Sequence, residues 1–137
     1  MRVRSASHLG GAKGVAGNIV NGDMLEFACG VSGAKVVLVL GHTACGAVKG
    51  AIDDVVLGNL TGLLARIKPA IPATKFESEK SSKNAAYVDA VTLTNVTMSL
   101  AEIRRRSPIL EEMEKKEKIL ITGAMYDLNT GTVQFLS

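Results

Sequence analysis

The sequence predicts an α/β fold in which buried strands alternate with helices. Three stretches carry that expectation. Lys35–Leu40 (KVVLVL) is an unbroken aliphatic run, long enough for a buried strand and too short for a membrane span. It ends at Gly41, and Gly46-Ala47-Val48 then opens a helix. Asn84–Arg106 holds the longest helical pattern, and Ile119–Thr122 forms a second short buried strand.

Length and composition set the bounds. A chain of 137 residues with 47% hydrophobic residues is expected to form one domain over 1–137, with 1–17 as a flexible arm. No apolar stretch reaches membrane length and the first residues lack a signal-like apolar core, so a soluble cytoplasmic protein is expected. A net charge of +3 without a concentrated patch supports neither a nucleic-acid groove nor a membrane surface. Two cysteines, Cys29 and Cys45, make no disulfide framework.

Met1–Gly17 is rich in glycine and small residues, and no Lys-Ser or Lys-Thr follows at phosphate-loop spacing. His8 reads as a solvated arm residue, with metal ligation as the sharper alternative. Asn18–Gly30 runs from loop to helix, Asp23 and Glu26 forming a capping pair. Met24, Phe27, Ala28 and Val31 fall on its inner side, with Cys29 as a small buried hydrophobe. Val48–Val56 and Leu60–Ile67 are further helical stretches, and Pro69–Lys83 is the best loop. In Asn84–Arg106 the residues Ala85, Val88, Thr92, Val96, Ser99 or Leu100, and Ile103 recur at helical spacing. Arg104-Arg105-Arg106 suits a helix carboxyl terminus better than a nucleic-acid contact. Ser107 caps the next helix and Pro108 opens it, with Ile109, Leu110 and Met113 turned inward. A turn through Asp127, Asn129 and Gly131 leads to an edge strand at Thr132–Leu136.

The chemistry concentrates at Gly41–Gly46, where His42 and Cys45 follow the carboxyl end of the Lys35 strand. In open α/β sheets this corner is where ligands are held, and an imidazole and a thiol three residues apart both suit zinc. An H-x-x-C pair also fits a plainer reading, with His42 capping a helix and Cys45 simply buried.

Four stretches in order, VAGNIVN at 15–21, LEFACGVSGAKVVLVLGHTACGAVKGAI at 25–52, RRRSPIL at 104–110 and ITGAMYDLNTGTVQFL at 121–136, resemble the β-class carbonic anhydrases. The resemblance implies a mostly parallel β-sheet flanked by helices. It places His42 and Cys45 as the histidine and second cysteine of a Cys-His-Cys zinc site. It implies Zn2+ as cofactor, an acidified zinc-bound water, and reversible hydration of carbon dioxide to bicarbonate. A homodimer or higher homo-oligomer is implied, with no nucleic-acid or membrane partner.

The sequence departs from the family where the first zinc cysteine lies. No Cys-x-Asp-x-Arg motif is present, and Gly14 stands where an arginine precedes VAG. The catalytic Asp-Arg pair is therefore absent and the catalytic residues are unknown. The resemblance further implies that the strand carrying that motif, near the centre of the sheet, is missing, leaving the Lys35 strand with a bare edge. Three functions follow as expectations. One is a zinc lyase completed by residues upstream of Met1 or by another chain. Another is a non-catalytic truncated relative acting as an oligomerising domain. The third is a thiol-based redox or metal-storage protein using Cys45 with Cys29.

Overall fold

A computed structural model describes residues 22–136. The expected arm at 1–17, His8 and the Val15–Asn21 stretch lie outside these residues, as does the side chain of Asp23. Helix α1 (Gly22–Glu26) runs into a π-helical turn (Phe27–Val31), followed by β1 (Val36–His42), α2 (Gly46–Ile52) and α3 (Gly58–Ile67). The single turn α4 (Ala70–Ala73), α5 (Ala85–Arg106), α6 (Pro108–Lys115), β2 (Leu120–Tyr126) and β3 (Val133–Phe135) complete the described chain.

Among the described residues the sheet has strand order β1-β2-β3. Strands β1 and β2 are parallel, in register from Val36↔Leu120 to His42↔Tyr126, and the helices between them supply the crossover that a parallel pair needs. Strand β3 returns antiparallel to β2 with Ala124↔Phe135, after the expected turn. In that turn Asp127 Oδ1 accepts from the Asn129 and Thr130 amides, and Gly131 takes a positive φ of 72°. The sheet is thus α/β and mixed, with its parallel pair at the expected strands. Within the described residues β1 pairs with β2 alone, so it forms an edge there.

Helix α5 lies across one face of the sheet. Asn84 caps it, its side chain accepting from the Tyr87 amide at 3.4 Å. Its carboxyl half, with Val96, Leu100 and Ile103, packs on Val37, Val39 and Ile121. Its amino half carries Tyr87, Val88 and Val91 into a second cluster with Cys45, Val48, Ala51, Leu64, Ile67 and Ala70. Of the helical stripe read from the sequence, Ala85 is exposed, while Tyr87 and Val91 are buried in addition. The buried hydroxyls of Thr92 and Ser99 donate to the carbonyls of Val88 (2.8 Å) and Asn95 (2.7 Å), so neither goes unsatisfied. On the opposite face of the sheet the paired Val36 and Leu120 are 42% and 55% exposed.

Two inward faces differ from expectation. Near the amino end, Leu25 and Cys29 are buried while Met24, Phe27 and Val31 are exposed. The buried pair is four apart and the exposed three are spaced at three and four, so the helix turns a neighbouring face to the core, and a wide turn, in which the Ser32 amide reaches the Phe27 carbonyl at 3.0 Å, closes it. In α6, Leu110 is fully buried and Met113 packs against the core, but Ile109 faces out. Helix α2 also stops sooner than its apolar pattern. Asp54 adopts φ 57° and the Val55 amide folds back onto the Gly50 carbonyl at 3.0 Å, a left-handed stop.

The triple arginine is taken up by ion pairs. Arg105 and Arg106 both reach Glu102, one turn back on their own helix. Arg104 forms a two-point pair with Glu114 of α6 at 2.6 and 2.8 Å and also donates to the Ile121 carbonyl at 3.1 Å, joining α5, α6 and β2. The two bonds from Arg104 hold the Glu114 carboxyl below its ordinary value of 4.5. A carboxylate so depressed contributes stability that is complete above the unfolded value and is lost as pH falls through the lower folded one. Glu114→Gln is expected to cost about 1 kcal/mol at neutral pH, allowing for the partial exposure of the pair, and nothing in strong acid. Urea melts at successively lower pH should show the two proteins drawing together as the pH falls.

Candidate metal-binding corner

Strand β1 delivers His42 to the carboxyl end of the parallel pair, and the chain turns through Thr43 and Ala44 into Cys45, the residue before α2. Gly41 is required by close approach: a Cβ there would lie 2.7 Å from Val96 Cγ2 and 2.7 Å from Met125 Sδ. Because Gly41 faces α5, strand alternation turns the half-buried His42 to the other side of the sheet.

Polar contacts hold the loop. The Thr43 amide donates to the Tyr126 carbonyl at 3.0 Å and continues the parallel ladder one residue further. Thr43 Oγ1 accepts from the Leu128 amide at 3.0 Å. The Ala44 amide donates to Asp89 Oδ1 of α5 at 3.0 Å, and Ala44 itself is left-handed at φ 54°. His42 Nδ1 stands 2.9 Å from the Thr43 carbonyl. A carbonyl only accepts, so this bond puts the proton on Nδ1 and, in the neutral ring, leaves the lone pair on Nε2. A metal-binding imidazole is commonly fixed in this way.

Cys45 sits differently. It is 3% exposed and packs with Val48, Leu64, Val88 and Val91. His42 and Cys45 therefore share one loop but have unlike surroundings, one half-open and one lined by hydrocarbon. Cys29 lies in the other cluster, with Leu25, Val37 and Ile103, and burial pushes its thiol above the usual range. Both cysteines are free. This placement gives the thiol-pair reading no support.

A groove of about 560 Å³ opens beside the loop, lined by Thr43, Asp89, Leu93, Met125, Asp127 and Gln134 among others. The donor types at the corner suit zinc, but the number does not. Among the described residues no three His, Cys, Asp or Glu side chains converge on one point. Two donors leave zinc weakly held and its geometry unfixed, so residues 22–136 alone do not fit the metal. Asp89 was not legible as part of this corner in the sequence, since it meets the loop from 45 residues away.

Comparison with known proteins agrees with the fold. The carbonic anhydrase family model matches residues 13–133. The chain is 28% identical over 131 residues to a carbonic anhydrase of Pseudomonas aeruginosa, covering 88% of this chain and 59% of that one. It is 29% identical over 116 residues to beta carbonic anhydrase 3 of Arabidopsis thaliana, covering 81% of this chain and 45% of the relative. The β-carbonic anhydrase CafA of Aspergillus fumigatus superposes with a TM-score of 0.69 at 24% identity, over 87% of this chain and 56% of that one. One of two tetrameric β-carbonic anhydrases of Sordaria macrospora gives 0.70 at 20% identity, over 87% and 60%. The chain thus spans roughly half to three fifths of the length of these relatives. No helix among the described residues is long and apolar enough to cross a membrane. With its family match running over most of its length and its fold shared with solved members, the chain belongs to the β-carbonic anhydrase family.

Proposed function

We propose that this chain provides the histidine–cysteine half of a carbonic-anhydrase zinc centre, acting in the reversible hydration of carbon dioxide to bicarbonate. The third donor comes from outside residues 22–136 or from a second chain. The observation that carries this reading is the His42–Cys45 loop itself. It sits at the carboxyl end of a parallel strand, with His42 Nδ1 bonded to backbone and Nε2 left to bind. The Asp-Arg pair of the family is absent from the sequence, so the groups that orient the zinc-bound species are likewise to be supplied with the third donor.

The test is zinc content per chain together with stopped-flow carbon dioxide hydration, for the chain alone and for an assembly restoring a Cys-x-Asp-x-Arg segment. The chain alone is expected to lose zinc on dialysis and to be inactive. The completed assembly should hold about one zinc per chain, and His42→Ala or Cys45→Ala should each lower its activity at least ~100-fold. Alanine is the cleaner replacement for Cys45, because serine would leave a hydroxyl in hydrocarbon.

A second reading is a non-catalytic relative that serves as an oligomerising domain. The half-exposed apolar pair Val36 and Leu120, and the exposed Val133 and Phe135 on the edge strand, favour it. Self-association is common to both readings, and a monodisperse monomer in sedimentation at micromolar concentration excludes it. An inactive, zinc-free completed assembly that still associates leaves the second reading alone.

A further inference from the structure

We propose that Asp89 is the positioning residue of the His42–Cys45 corner. By accepting the Ala44 amide it holds Ala44 left-handed and so sets the direction in which the Cys45 thiol leaves the chain. This rests on the reading of that corner as the functional one, but the contacts that argue for it are independent of any metal.

Ala44 has φ 54°, a conformation that side chains other than glycine adopt only when their surroundings hold them there. The neighbouring residue Thr43 is tied at both its amide and its hydroxyl, to Tyr126 and Leu128. Cys45 next in line has extended backbone and no side-chain cap bond. The Ala44 amide to Asp89 bond, at 3.0 Å, is therefore what fixes the last turn before the thiol. Asp89 is well placed to impose it. It follows Val88, which is fully buried, and lies within one turn of Val91, also fully buried, so the carboxylate projects from a part of α5 that cannot easily move. The bond joins residues 45 apart in sequence and reaches across the groove that both Thr43 and Asp89 line. A carboxylate receiving a backbone N–H is among the stronger hydrogen bonds.

The experiment measures the reaction of Cys45 and Cys29 with an aromatic disulfide reagent, read separately by peptide mapping, in the metal-free full chain. Asp89→Ala is expected to speed Cys45 modification about ten-fold while leaving Cys29 at its original rate. Asp89→Asn keeps an acceptor oxygen and should stay within about two-fold of the parent. In the completed assembly, zinc affinity should fall in Asp89→Ala and recover in Asp89→Asn. If Asp89→Ala leaves Cys45 unchanged, or speeds both cysteines equally, Asp89 is not a positioning residue and the proposal is overturned. If Asp89→Ala does not fold, Asp89→Leu at low temperature is compared with Asp89→Asn, and equal Cys45 rates in the two overturn it as well. A Cys45-specific response in a protein that never binds zinc sustains this proposal and removes the zinc reading, so the two fail separately.

Discussion

Gly123→Val is expected to lower stability by ~3 kcal/mol or more, enough to unfold much of the population of a marginally stable domain. A Cβ at Gly123 would already stand 2.8 Å from Val96 Cγ1, 3.0 Å from Leu100 Cδ1 and 3.0 Å from Leu136 Cδ1. Gly41 on the neighbouring strand faces the same helix, where a Cβ would stand 2.7 Å from Val96 Cγ2 and 3.0 Å from Thr92 Cγ2. In the register, Gly123 is opposite Val39 and Gly41 opposite Met125, so the two glycines are diagonal neighbours on one face. Together they form the saddle in which Val96 sits, and this lets α5 lie close on the sheet. Strand propensity works the other way, since valine favours an isolated strand over glycine. A measured loss therefore reports the helix contact and not the strand. Val96→Ala should recover part of the loss in a Gly123→Ala background, because it removes the methyl groups that clash. Gly62→Ala in α3, where a Cβ meets nothing within 4 Å, should instead stabilise by about 0.5–1 kcal/mol. Urea midpoints decide the matter, and a Gly123→Val protein with the parent midpoint would mean that α5 stands further from the sheet.

The parts of this fold that were legible in the sequence are those where local chemistry and tertiary packing agree. Lys35–Leu40 reads as a buried strand because its residues are β-branched and aliphatic without a break, and it is β1. Ser107 and Pro108 mark a helix start by side-chain chemistry alone, and that cap forms as expected, while Asn84, read as the first residue of its helix, is the cap before it. The failures lie where packing depends on distant groups. Near Cys29 the stripe Met24, Phe27 and Val31 faces out while Leu25 and Cys29 face in, a choice between two helical faces that spacing alone does not make. Ile109 follows the helical repeat of an inward residue, yet the core at that end is already filled by Leu110 and Met113. At the corner, His42 and Cys45 are visible as a pair at short spacing. What holds their loop is not, because Asp89, Tyr126 and Leu128 reach it from other elements. Arg105 and Arg106 follow Glu102 at the three- and four-residue spacing of a local helical pair, whereas the Arg104 pair with Glu114 of the next helix needed the fold.

Leu64→Ala should cost about 2–5 kcal/mol, the range for a buried leucine whose neighbours cannot collapse into the space left. Leu64 is fully buried on α3 and packs in the cluster that holds Cys45, Val48, Tyr87 and Val88. Its methyls stand 3.3 and 3.6 Å from where a Cβ on Gly50 of α2 would be, so α2 and α3 meet closely along this side chain. Leu57→Ala, at an exposed position before α3, is the matched control and should change stability by no more than about 0.5 kcal/mol. The loss at Leu64 also has a local signature. Cys45 shares its cluster and Cys29 does not, so the cavity should speed reagent access to Cys45 beyond what global unfolding allows, while Cys29 follows global stability. Equal acceleration at both cysteines would mean that the two clusters open together through α5, which spans them. Unequal acceleration would make the α2–α3 side of the molecule a separately opening unit. The His42–Cys45 corner would then owe its rigidity to that unit on one side and to the parallel strands on the other.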